Sequence, residues 1–445
     1  MNTLSIYMSE AAKRGLPDEV TEMIKHHVLD TFAAMISGSN LLPGQRALQF
    51  ARSYGGKEIS TVVASNTLCG PIEAALTNGV LAHADETDDS WPGGWHPGCN
   101  VVPAALATGE QFAISGSEFL RAVALGYDVG ARILTALRPG VFDSHKSTHS
   151  IAGVFGAAAA AGCAAKLNAQ QMRWLLDYTA QQSSGIAAWK RDTDHIEKAF
   201  VFAGMAARSG ATSAMLVHSG WTGVNDILSG PDNYLLAYAL RADPSKLIEK
   251  LGERYEVART NIKKWTVGSP IQAPLDALEN LRRKHPFEAD QVRQVTVRVA
   301  TSEAGVVNNR EMPDICLQHM MAVMLIDKTA SFRAAHDKAR MKDPAVLQHR
   351  GKIQLVFDED LEKQLPKREA VVEVTLTDGT HWIERVDAVR GTAENPMTQD
   401  EVIAKSRDLM APVIGEANCT NLIQKVLGLE NARDIRELRP LLQRT

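Results

Sequence analysis

The sequence predicts a mainly α protein with an α+β second domain, and three observations predict it. The first 260 or so residues are rich in Ala, Leu, Met and Gly and show repeated helical periodicity. After about Thr266 the pattern changes to strict alternation of β-branched and polar residues. A helical pattern then returns near the C-terminus. A chain of 445 residues is also longer than one ordinary core fills. The division expected is a helical domain over 1–265, an α+β domain over 266–395, and C-terminal helices over 396–445 that return to the first domain.

In order along the chain, the apolar spacing predicts helices over Val20–Ser37, Pro71–His83, Ser117–Leu137, Ala152–Lys166, Ala169–Ser184 and Glu197–Ser219. Asn168 is placed to cap the helix that opens at Ala169, and Gly220 stands where another ends. The run GVFGAAAAAGCAAK (Gly153–Lys166) has small side chains on every face. Neighbouring helices can approach such a segment closely, so it reads as a buried central helix rather than a linker. Gln291–Ala300 (QVRQVTVRVA) alternates as a half-buried strand does. Arg368–Thr377 and Thr380–Val386 flank Asp378-Gly379 and read as a hairpin. Lys352–Phe357 is a further candidate strand. Helical patterns return at Thr398–Gly415 and Cys419–Leu427.

Composition excludes several classes. The net charge is −4 with no basic stripe, which argues against nucleic acid. No uninterrupted apolar run of about 18 residues exists, so no membrane span is expected. The start of the chain lacks the apolar core of a signal peptide. Five scattered cysteines form no CxxC pair and argue for a reducing cytoplasm and against a zinc or iron–sulfur site. Dinucleotide, P-loop and nucleophile-elbow motifs are missing.

Chemistry concentrates in HADETDDSWPGGWHPGCN (His83–Asn100). Two histidines and four carboxylates stand there among glycines, prolines and tryptophans. The segment reads in three ways: as N and O ligands for a metal (His83, Asp85, Asp88, His96), as a catalytic loop with His96 as acid or base, or as turn and cap hydrogen bonds. The metal reading is the weakest, because no established ligand spacing is present. For His96, between Trp95 and Pro97, the functional reading leads.

A second cluster, Phe142–Gly153, sets His145, Lys146, Ser147 and His149 before the small-residue helix. A helix N-terminus favours a carboxylate ligand. N-capping by Ser147, Thr148 or Ser150 explains the hydroxyls but not two histidines. A third, Trp189–Arg208, places Arg191, Asp192, Asp194, His195, Glu197 and Lys198 at the start of an apolar helix. Surface ion pairing competes there with a role for Lys198 in holding a carboxylate. Lys263, Lys264 and His319 complete the set. A lone histidine on an apolar helix, as His319 is, is more often a core residue than a catalyst.

Taken together and in this order, these clusters resemble the MmgE/PrpD family, which includes 2-methylcitrate dehydratase, cis-aconitate decarboxylase and iminodisuccinate epimerase. The residues that carry the resemblance are HADETDDSWPGGWHPG (His83–Gly98), GVFGAAAAAG (Gly153–Gly162), HIEKAFVFAGMAARSG (His195–Gly210), SGWTGVNDILSG (Ser219–Gly230) and IKKW (Ile262–Trp265). The resemblance implies a large helical domain with a smaller α+β lid and a homodimer. It further implies a lyase or isomerase, dehydratase-like, that acts without cofactor or metal on a small di- or tricarboxylate. Epimerisation, decarboxylation and a non-catalytic carboxylate-binding role are the alternatives. By carry-over, Asp88, Asp89, Ser90 and His96 belong to the active-site loop, and Lys198 and Lys263 or Lys264 match family lysines.

The expected site is therefore His96, His149, Lys198 and Asp88 as catalytic residues, with Ser90, Asp85, Arg191, Lys264 and His319 binding substrate. The chain departs from the family at three places. Ser147 stands where a histidine is usual, with His149 two residues on. Gln272 replaces a histidine four residues before Asp276. His319 aligns with a tyrosine of the decarboxylase pattern. These departures predict a substrate other than cis-aconitate or 2-methylcitrate.

Overall fold

The computed structural model describes residues 1–138, 145–239 and 241–444. Part of the second cluster, Phe142 to Ser144, lies outside them. Two compact units are formed: residues 1–260 with 402–445, and residues 261–401.

The first unit is helical. At its centre lies the small-residue helix Thr148–Ala164, in which every residue but His149 is buried. Helices Gly116–Leu137, Met205–His218 and Gly98–Phe112 pack around it. Small side chains are required for this packing: a Cβ added at Gly210 would sit 2.4 Å from the backbone nitrogen of Ala158. The expected helices are found as Asp18–Gly38, Pro71–Ala82, Gly116–Leu137, Thr148–Ala164 and Ala169–Gln182. Asn168 and Gln171 close a reciprocal capping box at the last of these. Longer helices that the spacing did not predict are Asn2–Glu10, Leu42–Tyr54 and Gly98–Phe112.

The stretch expected as one helix over Glu197–Ser219 is helical from Ile196 to His218, but Phe200–Gly204 is wound as a π-helix. This run has the length and apolarity of a membrane span, yet 67% of its most apolar window is buried inside the protein, as in a core helix. C-terminal residues close the unit: helix Glu416–Leu427 packs on Asp18–Gly38, and Lys405 forms a buried ion pair with Asp30 at 2.6 Å.

The second unit is a four-stranded sheet with helices. The strand order is Ile353–Asp358, Val292–Ala300, Ala370–Leu376, His381–Val386. The first pair is parallel and the other two are antiparallel. Strand 370–376 alternates buried and half-buried residues, as its sequence does. The expected Asp-Gly turn forms, with Gly379 at φ +91° and the Thr380 N–H donating to Asp378 at 2.8 Å. Helices Ser269–Lys284 and Leu317–Asp327 supply much of the core beneath the sheet. All five cysteines are free and buried.

Candidate active site

Helix Pro71–Ala82 ends at His83, and the acidic stretch that follows folds as a loop. Asp85 starts it. Its carboxylate accepts from the Thr87 N–H at 2.9 Å and the Thr87 hydroxyl at 2.6 Å, an Asx-type turn. The turn brings Asp88 back beneath His83. The sequence WPGGW then makes a tight reversal: Trp91 and Trp95 pair across it, and Gly94 takes φ +82°, which glycine adopts without strain. This reversal returns the chain so that His96 also reaches Asp88. Asn100 fixes the exit by donating to the carbonyls of His96 (2.9 Å) and Phe202 (3.1 Å).

Asp88 is fully buried and bridges two imidazoles. His83 Nδ1 lies 3.0 Å from both carboxylate oxygens, and His96 Nδ1 lies 3.1 Å from one. Burial alone would raise the Asp88 carboxyl, but the two imidazoles outweigh it and hold the group well below the usual carboxylate range. An ionised carboxylate only accepts, so both Nδ1 atoms carry protons and point at Asp88. The neighbouring Asp89, equally buried, is engaged elsewhere: His27 Nδ1 at 2.7 Å, the Tyr127 hydroxyl at 2.6 Å and the Gly98 N–H at 2.8 Å.

The π-helical turn Phe200–Gly204 completes the cluster. Such turns are often found at functional sites, because one extra residue re-aims the side chains around it. Here the Phe202 ring stacks on His149 (centroids 3.7 Å apart) and on His83 (4.8 Å). His96 lies 5.4 Å from His149 and 4.9 Å from His83, ring to ring. Lys198, one turn earlier, forms an ion pair with Glu86 and lies 5.1 Å from the Phe202 ring. His149 is the second residue of its helix, which Ser147 caps. Burial, then the charges of His96, His83 and Lys198, keep its imidazole well below the usual histidine range, so it is neutral at pH 7.

Of the residues expected from sequence, His96, His149, Lys198 and Asp88 come together. Asp85 shapes the loop through Thr87, and Ser90 is half-buried in the same loop. Arg191 ends a short 3-10 turn with its side chain exposed. His145, the other histidine of the second cluster, is exposed. Lys264 and His319 belong to the second unit. Lys264 pairs with Glu279 and lies 4.4 Å from the Trp265 ring. His319 is buried in helix Leu317–Asp327, and neither ring nitrogen has a hydrogen-bond partner among the described residues. Gln272 donates to the carbonyls of Trp265 and Val267.

Sequence reasoning passed over Glu86 and His195 and gave His83 only a metal-ligand reading. Glu86 carried no signal, since its partner Lys198 is 112 positions away. His195 is buried, lies 5.3 Å from His83 ring to ring, and has a lowered pKa from burial and then the Lys198 charge. Among the described residues, two groups have the spacing to hold a cation: His83, Glu86 and His195, and His83, Asp88 and His96. Asp85, a ligand in the sequence-based metal reading, is in neither.

Both halves of the chain match one family: the MmgE/PrpD N-terminal domain over residues 2–246 and the MmgE/PrpD C-terminal domain over residues 265–429. Among curated relatives, cis-aconitate decarboxylase of Homo sapiens is 25% identical, covering 96% of this chain and 91% of its own length. The Aspergillus terreus cis-aconitate decarboxylase is 24% identical, covering 98% and 94%. A cis-aconitate decarboxylase-like protein of Aspergillus oryzae is also 24% identical, covering 98% and 95%.

Proposed function

Because this chain belongs to the MmgE/PrpD family, we propose that it is a lyase that moves a proton at a carbon next to a carboxylate in a small di- or tricarboxylate. The observation that carries this reading is the shared carboxylate of Asp88. It fixes His96 through Nδ1, beside a neutral His149 and the Lys198–Glu86 pair. His96 offers Nε2 as the acid–base atom. Lys198 exchanges Glu86 for a substrate carboxylate and stabilises the charge that develops on it during proton removal. His149 serves the second proton transfer.

In the dehydration reading, His96 takes the α proton and becomes imidazolium, the C–O bond breaks, and the departing hydroxide leaves as water with that proton, delivered directly or through the neutral His149. In the second reading, a C–C bond breaks, carbon dioxide leaves, and the electron pair left on carbon takes a proton from an imidazole. The decarboxylase names of relatives matched over nearly the whole chain favour that reading. His319 in place of a tyrosine, and Gln272 bonded to the backbone carbonyls of Trp265 and Val267, favour a different substrate.

A panel of hydroxy-, imino- and unsaturated di- and tricarboxylates, followed by proton NMR in D₂O, tests the proposal. Deuterium incorporated at the α carbon supports it; no incorporation with any turned-over substrate removes it. Lys198→Ala should raise KM and lower kcat by ~10²-fold. The proposal includes a homodimer, and light scattering that gives only the 48.4 kDa chain mass would remove that part.

A further inference from the structure

We propose that His83, Glu86 and His195 form an open three-ligand site for a borderline divalent metal, best matched by Zn²⁺, and that the bound ion switches the neighbouring acid–base residues off. Each of the three offers a ligand atom within 4.8 Å of the other two, and all three are buried. The Nε2 atoms of His83 and of His195 are both buried without a hydrogen-bond partner among the described residues. Two orphaned imidazole nitrogens beside one carboxylate are an uncommon arrangement, because buried polar atoms are nearly always satisfied. A single ion between them satisfies both.

The surroundings fit a ligand set. Asp88 receives His83 Nδ1, which fixes the tautomer with the Nε2 lone pair outward. That is the carboxylate–histidine support found behind most metal-bound histidines. His195 is held in a left-handed conformation, φ +61°, at the start of its helix. A non-glycine residue keeps that strain only where the surroundings impose it, and such strain clusters at functional sites. Two imidazoles and one carboxylate select Zn²⁺ over Mg²⁺ or Ca²⁺, which prefer oxygen ligands. Three protein ligands leave a fourth position open to water.

The consequence for turnover follows from Glu86. Its carboxylate is the partner of Lys198, so a dication beside it competes with the ammonium and adds positive charge next to His96 and His149. Only this consequence rests on the proposed function; metal binding itself does not.

The full chain, stripped of metal with a chelator and dialysed, is titrated with Co²⁺ and followed by its visible d–d absorption, then back-titrated with Zn²⁺. One equivalent should bind with the intense bands of four-coordinate Co²⁺, and Zn²⁺ should displace it. His195→Gln and Glu86→Gln should each weaken binding by ~10²-fold or more, and Asp88→Asn by roughly 10–100-fold through its hold on His83. His349→Gln, in the second unit, should leave binding unchanged. On the true substrate, Zn²⁺ should lower kcat/KM and a chelator should restore it. The proposal is overturned if no Co²⁺ binds, or if the bands are the weak ones of six coordination. It is also overturned if His96→Gln abolishes binding while His195→Gln and Glu86→Gln do not, which would move the ion to the Asp88 pair. Binding without inhibition would leave the site standing and remove the switch.

Discussion

Two parts of the molecule bury histidine, and they do it in opposite ways. In the first unit His83 and His96 share the Asp88 carboxylate, with His149 stacked on Phe202 and His195 beside His83. In the second unit His319 is fully buried in an apolar helix, and among the described residues both its nitrogens are unpartnered. The electrostatic results differ accordingly. Asp88 stays ionised and orients its rings. His319 is pushed down to about 4 by burial and then by Arg350 and Arg340. Burial beside positive charge therefore holds a histidine neutral, whereas burial against a carboxylate fixes which way its ring faces. The adjacent pair Asp88 and Asp89 repeats the lesson at shorter range. One carboxylate faces imidazoles of the cluster, and the other ties His27, Tyr127 and Gly98 into the scaffold.

The largest effect expected from breaking this arrangement is at His96. His96→Ala should lower kcat by ~10²–10⁴-fold, the range of general acid–base catalysis, while circular dichroism shows an intact fold. A variant with near wild-type kcat/KM would pass the role to His149.

Next is the support under the loop. Lys405 donates to the Thr87 carbonyl at 3.0 Å and pairs with Asp30, both side chains being buried. Burial already raises the Asp30 carboxyl even with this partner present. Lys405→Met should cost about 3–5 kcal/mol, because it leaves a buried charge uncompensated. The loss should shrink at acidic pH, where Asp30 takes up a proton. Chemical denaturation at two pH values measures both effects; an equal loss at each would mean that Lys405 acts through packing alone.

Asp88→Asn should be smaller, about 2–3 kcal/mol at neutral pH, from the lost charge-assisted hydrogen bonds. The Asp88 carboxyl lies below its unfolded value of about 3.9. Its contribution to stability is therefore full above that pH and is lost as pH falls through the folded value. Thermal melts from neutral pH to pH 3 should show a steeper acid decline in the wild type than in the variant. Parallel curves would mean that the carboxylate is not held low.

How much of this was legible differs between the two regions for physical reasons. Amphipathic helices such as Glu416–Leu427, which buries Cys419, Leu422, Ile423 and Val426 along one face, and the alternating strand Ala370–Leu376, announce themselves because one face differs from the other. Helix Gly98–Phe112 did not. It is buried nearly all round, so it has no polar face to set a period, and Pro103 inside it reads as a break. The loop residues His96 and Asp88 were legible as chemistry because ionisable groups beside glycine and proline have little other use. Their geometry was not, since the path from His83 to His96 depends on the Asp85–Thr87 turn and the Trp91–Trp95 pairing. The π-helical turn that brings Phe202 between His83 and His149 leaves no mark in the residue pattern. Glu86 is an acid among acids until Lys198 arrives from a distant segment.

The smallest effect expected is at His319, and it separates the two kinds of buried histidine most cleanly. Its folded value of about 4 lies below the unfolded value of about 6.5. Between those values the unfolded chain binds a proton that the folded chain does not, so this group makes stability fall as pH drops from 6.5 toward 4. His319→Leu removes two unsatisfied nitrogens and this proton uptake together. The variant should be more stable by about 1 kcal/mol at neutral pH, with a flatter stability profile between pH 6.5 and 4. Denaturant unfolding across that range measures both. If His319 also serves the substrate, as the sequence suggests, the same variant loses kcat/KM while it gains stability, a trade expected where a polar group is kept in a core for function. A variant that is more stable and fully active would make His319 a core residue and nothing more, and would confine the acid–base chemistry to the histidines gathered around Asp88.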